Sequence, residues 1–192
     1  MRFVPADRED DRRLWAFSVG VAYITDANIE DLVFGGDFDR ARGPAAGEVY
    51  SFTAARRLGV LEIELGDCTL RPELELPLTL EVVDENARSP FFDFNAAVVM
   101  RWSGFPWDDV IKTTFATGVG LSYSEHPYTV DVLRHPGDDR SNLKFHWPIE
   151  LTFALPQHPD HQLMLYLTHQ SGGRVFDRGG VNLLGLGYRH GF

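Results

Sequence analysis

A histidine and a serine stand two positions apart near the end of the chain, at His169 and Ser171. In an extended strand, residues at this spacing share one face with their Cα atoms roughly 6.5–7 Å apart, so the imidazole can reach the hydroxyl. A neutral histidine can take the serine proton and leave a nucleophilic oxygen, as in ester hydrolysis. The spacing therefore predicts His169 as a general base and Ser171 as a nucleophile.

Three nearby residues could complete such a site. On the next predicted strand, Asn182 stands an even number of positions from Leu184 and Phe192, so its side chain should lie on the same apolar face as theirs. That face also carries His169, near the same end of the strands. An asparagine there can hold the second ring nitrogen of the histidine, and the backbone N–H groups of Gly172 and Gly173 could bind an oxyanion. Contact between rim residues and lipid headgroups would explain the same polar cluster without catalysis.

The segments that must position these residues alternate between apolar and polar side chains, as half-apolar strands do. In the segment 142–155 every second side chain is large and apolar: Leu143, Phe145, Trp147, Ile149, Leu151, Phe153 and Leu155. The alternation predicts eight strands, at 14–25, 49–65, 69–83, 91–103, 110–124, 142–155, 162–171 and 181–192. Gly59 predicts a bulge or a break in the second strand, and a ninth short strand is the alternative count.

The direction of the apolar face separates a membrane barrel from a soluble lipid-binding calyx, because both alternate. The interior of an eight-stranded barrel is only just filled by side chains, and this many large apolar residues would overfill it. The apolar face should therefore point outward, which predicts an all-β, antiparallel, up-and-down transmembrane barrel with a plugged polar interior. The predicted inward charged residues are Glu62, Glu64, Arg71, Glu73, Glu75, Asp93, Arg101, Lys112 and Glu150, and we expect an internal ion pair between Arg101 and Glu150.

Connection lengths agree with a barrel of the bacterial outer membrane. Long connections at 26–48 and 125–141 alternate with short ones at 66–68, 104–109 and 156–161. Such barrels have short periplasmic turns and long external loops. Trp102, Trp107 and Trp147 are expected near the periplasmic strand ends as an aromatic belt. We expect residues 1–13 to form an N-terminal segment and residues 14–192 to form the barrel domain.

Composition excludes several other classes of protein. Because the chain has 28 acidic and 18 basic residues, its field has the wrong sign for nonspecific nucleic-acid binding. No apolar run approaches the roughly 20 residues of a membrane helix. The charged start lacks the apolar middle of a signal peptide, so an outer-membrane location implies that a signal was removed. The single cysteine, Cys68, cannot form an intrachain disulfide.

The C-terminal stretch 167–192, LTHQSGGRVFDRGGVNLLGLGYRHGF, resembles the signature of the PagL-like lipid A 3-O-deacylases. The shared features are His-x-Ser, a loop with glycine and asparagine, and a last strand that ends in phenylalanine. Upstream segments at 70–76, 100–107, 118–123 and 149–156 are similar to barrels of the same superfamily. The resemblance extends over roughly residues 60–192 and is most specific at the C-terminal motif.

This resemblance implies an outer-membrane esterase that removes the 3-position hydroxyacyl chain of lipid A without a metal or cofactor. It assigns the general base to His169 and the nucleophile to Ser171. The chain departs from the family twice: Gly172 stands where the family usually has asparagine, and Asn182 where an acidic residue usually orients the histidine. Asp177 is the rival for the orienting role. The implied partners are lipid A or lipopolysaccharide and outer-membrane lipid, a homodimer is left open, and no nucleic acid is expected.

Three functions of different classes therefore compete: a lipid A deacylase, a noncatalytic structural or adhesive barrel, and a soluble lipid-binding calyx. The cluster of His169, Ser171 and Asn182 distinguishes the first from the second. Barrel volume and the asymmetry of the loops disfavour the third.

Overall fold

The protein is a closed, antiparallel, up-and-down β-barrel of eight long strands, to which two short strands add. The computed structural model describes residues 1–6, 13–66, 68–134 and 136–192. The strands are β1 Arg2–Pro5, β2 Trp15–Ile24, β3 Gly47–Leu65, β4 Cys68–Leu70, β5 Glu73–Glu85, β6 Phe91–Trp102, β7 Lys112–Ser124, β8 Leu143–Ala154, β9 His161–Ser171 and β10 Gly180–Gly191. The described helical segments are a π-helical turn at Asp31–Gly35, a 3₁₀ turn at Gly43–Ala45 and helix α1 at Thr129–Arg134.

The barrel closes because the first and last long strands pair with each other. β10 pairs with β2 from Leu183↔Ile24 to Gly191↔Ala16. Beyond this ladder, Trp15 and Phe192 exchange backbone hydrogen bonds of 3.0 and 2.8 Å. β3 pairs with β5, the next long strand along the chain, so each of the eight long strands has two paired neighbours. The predicted eight-stranded barrel is confirmed, and none of the helices in the described part of the chain is long and apolar enough to cross a membrane.

The outer face is apolar, as the side-chain volumes predicted. The outward residues at the centre of the barrel keep large exposed areas, such as Val119 at the middle of β7, whose side chain is 74% exposed. Inward residues such as Asn95, Ser122 and Thr152 are buried. A surface of exposed aliphatic and aromatic groups around a polar interior is the arrangement that lipid favours.

The interior toward the short turns contains a buried ion network centred on Arg101. Its Nε and Nη2 donate to the two carboxylate oxygens of Glu75 at 3.0 and 3.2 Å, and Nη2 also donates to Glu150 at 2.5 Å. Arg189 donates to Glu75 at 2.6 Å. The predicted ion pair between Arg101 and Glu150 is confirmed, and it belongs to a larger set in which each buried charge has an opposite partner. A cavity of about 460 Å³ lies beside this network at the short-turn end.

The interior toward the long loops contains an apolar cluster that was not predicted, beside buried polar residues such as Asp93, which was predicted to point inward. Ile24, Val49, Val83 and Leu183 are fully buried there and pack with Tyr128, which comes from the loop before α1. The Tyr128 hydroxyl donates to Asp93 at 3.0 Å. The strand pattern alone did not show this, because the loop residues that bury these side chains come from a distant part of the sequence.

β3 extends past the barrel at the short-turn end, and this corrects two predictions. Beyond a register shift between Arg57 and Gly59, where a bulge or break was predicted, β3 pairs with β1 and β4. The predicted strand 69–83 is two strands, since residues 71–72 separate β4 from β5. Three residues predicted inside the barrel lie at this extension: Glu62 and Glu64 are on β3, and Arg71, between β4 and β5, reaches Glu62 at 3.5 Å.

The orientation of the faces predicts a difference between two arginine substitutions. Val119→Arg places a cation at mid-membrane on the lipid face and should lower the free energy of unfolding by roughly 2–4 kcal/mol. Ala55→Arg points into the 460 Å³ cavity and should cost much less. Urea titration of the heat-modifiable folded band in lipid vesicles measures both, with Val119→Thr as the uncharged control. Equal losses for the two arginine variants would contradict the orientation.

Candidate functional site at the long-loop rim

Strand register brings the predicted site residues together. His169 of β9 lies directly across from Asn182 of β10 on one side and Trp147 of β8 on the other. Ser171, at the end of β9, lies across from Phe145 of β8. All of these side chains have outward parity, at the end of the barrel that carries the long loops. The predicted convergence of His169, Ser171 and Asn182 at one depth is therefore present.

A chain of two hydrogen bonds fixes the orientation of the imidazole. Asn182 Nδ2 donates to the backbone carbonyl of Ala27 at 2.8 Å, and Asn182 Oδ1 lies 2.6 Å from His169 Nδ1. Because the Ala27 carbonyl can only accept, the amide nitrogen must face it and the amide oxygen must face the imidazole. Nδ1 therefore carries the proton, and Nε2 is left as the basic nitrogen that a general base requires.

The long loop between β2 and β3 covers Asn182 from the outside. Ala27 and Leu32 of this loop are buried against Leu167 of β9, and Ile149 and Leu184 pack beside them. Asn182 is only 2% exposed as a result, although its strand position faces outward. In this water-poor setting, an unsatisfied amide would cost about 1–3 kcal/mol, so the link to Ala27 also stabilises the loop.

Trp147 forms the opposite wall of the histidine. Its ring packs edge-on against that of His169, with centroids 6.2 Å apart and planes at 90°. Its indole N–H donates to Thr117 Oγ1 at 2.8 Å, which fixes the ring in place. The sequence prediction that put Trp147 near the periplasmic strand ends is wrong, since β8 begins at Leu143, at the long-loop end.

Ser171 is not hydrogen-bonded to His169 in this conformation. Its Oγ accepts a hydrogen bond of 3.1 Å from the backbone N–H of Gly173. Serine and histidine are nevertheless neighbours on one face, and in enzymes without substrate such pairs are often long or poorly aligned.

The two glycines proposed for the oxyanion differ in what they offer. The N–H of Gly172 donates to Gly179 O at 2.9 Å, so in this conformation it is not available to an oxyanion. The N–H of Gly173 is directed at Ser171 Oγ, beside the atom that would attack. Of the two predicted donors, only the Gly173 N–H lies where it could bind the oxyanion that would form if Ser171 attacked an ester.

The loop has no room for a side chain at position 172. A Cβ at position 172 would lie 1.9 Å from Asp177 Oδ1 and 2.6 Å from Asp177 N, because the loop folds tightly back over this residue. No side chain fits there. Gly173 has a φ of +59°, and a Cβ on it would lie 2.7 Å from the ring of Phe145. The loop therefore requires glycine at both positions.

Asp177, the rival orienting residue, is engaged elsewhere. Its carboxylate accepts from Lys144 Nζ at 2.8 and 3.0 Å, from Ser141 N at 2.7 Å and from Gly179 N at 2.8 Å. Lys144 also lies 2.9 Å from Asp131 of α1. Asp177 thus ties the β9–β10 loop to β8 and α1, and its carboxylate makes no hydrogen bond to His169.

The electrostatics of Asp177 suit this anchoring role. Partial burial raises the pKa of its carboxyl, but the hydrogen bonds from Lys144, Ser141 and Gly179, with the Lys144 charge, outweigh that and lower the pKa. Because the pKa is lower in the folded state, the stabilisation is complete above the ordinary pKa of an aspartate. It is lost as the pH falls through the lowered value.

Sequence reasoning missed several of these contributors. The Ala27 carbonyl carries no side-chain signal, and the partners of Asp177 come from a separate loop and strand. The tryptophan beside His169 was visible as an apolar residue on the correct parity, but its depth was assigned wrongly. No group of three histidine, cysteine, aspartate or glutamate side chains is arranged to hold a metal ion within the residues that the structure describes.

Two solved structures of outer-membrane barrels resemble this fold. The outer membrane enzyme PagL superposes with a TM-score of 0.60 at 13% sequence identity, over 91% of this chain and 98% of that one. Neisserial surface protein A (NspA) superposes with a TM-score of 0.50 at 10% identity, over 93% and 97%. No protein-family model and no curated protein matches the sequence. At these identities the likeness establishes the fold of an outer-membrane barrel, and the site must be argued from its own geometry.

The contacts predict unequal effects for two substitutions at this rim. Asn182→Ala removes the hydrogen bond that sets the histidine tautomer, and a loss of about 1.4 kcal/mol would lower any activity that depends on His169 as a base by roughly tenfold. Asp177→Asn weakens the ion pair with Lys144 and should loosen the loop with a smaller effect on activity. Hydrolysis of a short-chain ester in detergent measures the first effect, and limited proteolysis of the loop measures the second. A larger activity loss for Asp177→Asn would transfer the orienting role to that residue.

Proposed function

We propose that this protein is an outer-membrane esterase that removes an ester-linked hydroxyacyl chain from lipid A, with His169 as general base and Ser171 as nucleophile. The observation that carries the proposal is the hydrogen-bonded series Ala27 carbonyl, Asn182, His169 on the lipid-facing surface. A purely structural barrel has no need to fix the tautomer of an outward histidine next to a serine.

The proposed reaction follows from this arrangement. Nε2 of His169 takes the proton of Ser171 as Oγ attacks the ester carbonyl, and the Gly173 N–H binds the oxyanion that forms. His169 then gives the proton to the departing sugar oxygen, which leaves an acyl-serine. Water, deprotonated by the same imidazole, hydrolyses that acyl-enzyme and releases the fatty acid.

Asn182 supports this cycle less strongly than an acidic residue would. Its amide oxygen orients the imidazole, but it carries no charge to stabilise the imidazolium that forms in each half-reaction. We therefore expect slower turnover than in a related enzyme with a carboxylate at this position. Asn182→Glu tests this directly: the added charge should raise kcat, while the loss of the donor to the Ala27 carbonyl should loosen the covering loop.

The surface around the site suits an acyl chain. Leu165 and Leu163 continue the outward face of β9 from His169 toward mid-membrane, and both are exposed. The loop between β2 and β3 carries Phe34, which is 87% exposed and adds apolar surface at the rim. A lipid in the outer leaflet would present its ester near Ser171 and its chain along this face.

A noncatalytic barrel is the second candidate, and one observation favours it. Ser171 Oγ is bonded to Gly173 rather than to His169, and the Gly172 N–H is already used. In a noncatalytic barrel, the residues at this rim would contact lipid headgroups and catalyse no reaction. Its partners would be outer-membrane lipid or another copy of the barrel.

Single and double substitutions distinguish the two candidates. Ser171→Ala and His169→Ala should each reduce release of 3-hydroxy fatty acid from lipid A by roughly a thousandfold or more, measured by mass spectrometry. The double variant should lose little beyond either single change, because the two residues act as one unit.

The controls come from the opposite end of the barrel. Ser103→Ala and His158→Ala, near the short turns, should retain activity, and all variants should keep heat-modifiable gel mobility as folded barrels. If the unsubstituted protein releases no fatty acid from lipid A or from a short-chain ester, while a PagL enzyme assayed beside it does, the noncatalytic candidate becomes the better one.

A further inference from the structure

Two arginines in the loop after Ser171 have guanidinium groups without partners. The side chains of Arg174 and Arg178 are exposed and make no ion pair, hydrogen bond or ring contact with any described residue. The other arginines that the structure describes each contact an acid or an aromatic ring. In a chain of net charge −10, two unpaired cations in one loop of eight residues need a separate explanation.

The loop lies on the lipid side of the barrel wall. Phe176 packs on the outward ring of Phe145, with centroids 4.9 Å apart, and Gly173 touches the same ring. Val175, which lies between Arg174 and Phe176 in the sequence, is 72% exposed. An exposed apolar tip flanked by arginines is the composition of a segment that sits at the boundary between acyl chains and headgroups. The cations therefore lie where the headgroups of neighbouring lipids are.

The backbone holds Arg174 close to the nucleophile. Val175 N and Phe176 N both donate to Gly172 O at 2.9 Å, and Arg174 N donates to Asp177 O at 2.9 Å, so the turn after Ser171 is compact. Arg174 has a φ of +59°, a left-handed conformation that costs a residue with a side chain roughly 1–2 kcal/mol. Such strain persists only where surrounding contacts enforce it, and it often marks a functional position.

The acid in this loop does not cancel these charges. Asp177 is paired with Lys144, which leaves Arg174 and Arg178 as the charges that the loop offers to a ligand. Guanidinium groups bind phosphate through paired, charge-assisted hydrogen bonds, and an anionic headgroup attracts each nearby arginine by about 1 kcal/mol.

We infer that Arg174 and Arg178 bind a phosphate of an anionic lipid headgroup and thereby place the ester of that same lipid at Ser171. The inference rests on the proposed function and deepens it, because it makes a phosphorylated glycolipid the substrate and assigns the specificity to this loop. Arg174 and Arg178 are positioning residues, since they hold the headgroup and take no part in the bond that breaks.

The test compares one lipid in two forms, bisphosphorylated lipid A and the same lipid A after enzymatic removal of its phosphates. Arg174→Gln with Arg178→Gln should reduce the preference in kcat/KM for the phosphorylated form by about tenfold or more, mostly through KM. The matched control is Arg42→Gln, an exposed arginine of another loop at the same end, which is paired with Asp39. It should leave the preference unchanged.

A binding measurement in the Ser171→Ala background separates this inference from the proposed reaction. Phosphorylated lipid A in mixed micelles should bind the Ser171→Ala barrel at least tenfold more tightly than the dephosphorylated form, and the two glutamine substitutions should abolish the difference. A difference in binding without hydrolysis by the unsubstituted protein would support this site and overturn the esterase. Equal binding of the two lipids, or competition by millimolar inorganic phosphate alone, would overturn the headgroup site.

Discussion

A backbone that crosses hydrocarbon finds no water to bind, so each N–H and C=O must be paired within the protein. The pairing of β10 with β2 closes the barrel and meets this requirement, and the closed barrel determines which side chains face lipid and which face the interior. Once all strands are paired, their outward side chains face lipid and their inward side chains must fill a narrow interior. The buried ions around Arg101 and the apolar cluster beneath Tyr128 are two ways of filling that interior, one at each end.

The same constraint gives the site its rigidity. Three adjacent strands hold Trp147, His169 and Asn182 in register, so no loop movement is needed to bring the imidazole and amide together. The loops contribute single contacts. The β2–β3 loop supplies the carbonyl that orients Asn182, and the β9–β10 loop supplies the N–H that contacts Ser171 Oγ. A precise strand scaffold thus carries the histidine, while the parts that recognise a ligand lie in segments that can differ between relatives.

The sequence predicted what depends on alternation and missed what depends on distant loops. Eight barrel strands, an outward apolar face and the convergence of His169 with Asn182 all follow from a period of two along single segments. The second strand was predicted as far as residue 65, but its pairing with β1 and β4 was missed, because these two strands are too short to show a period. The pairing of both Asp177 and Asp131 with Lys144 was missed because it joins three segments separated in sequence, and no pattern within one segment encodes such a contact.

The bond from Asn182 to residue 27 ends on a main-chain carbonyl, which every amino acid possesses. The hydrogen bond therefore places no demand on the side chain of residue 27, whose burial against Leu167 limits only its size, provided that the chain still passes over β10 at the same height. Selection at this point would act on the length and path of the loop, and an alignment of relatives would reveal it as an invariant spacing between the end of β2 and the covering segment. A search for conserved residue types alone would overlook one of the groups that keep the histidine in its working form.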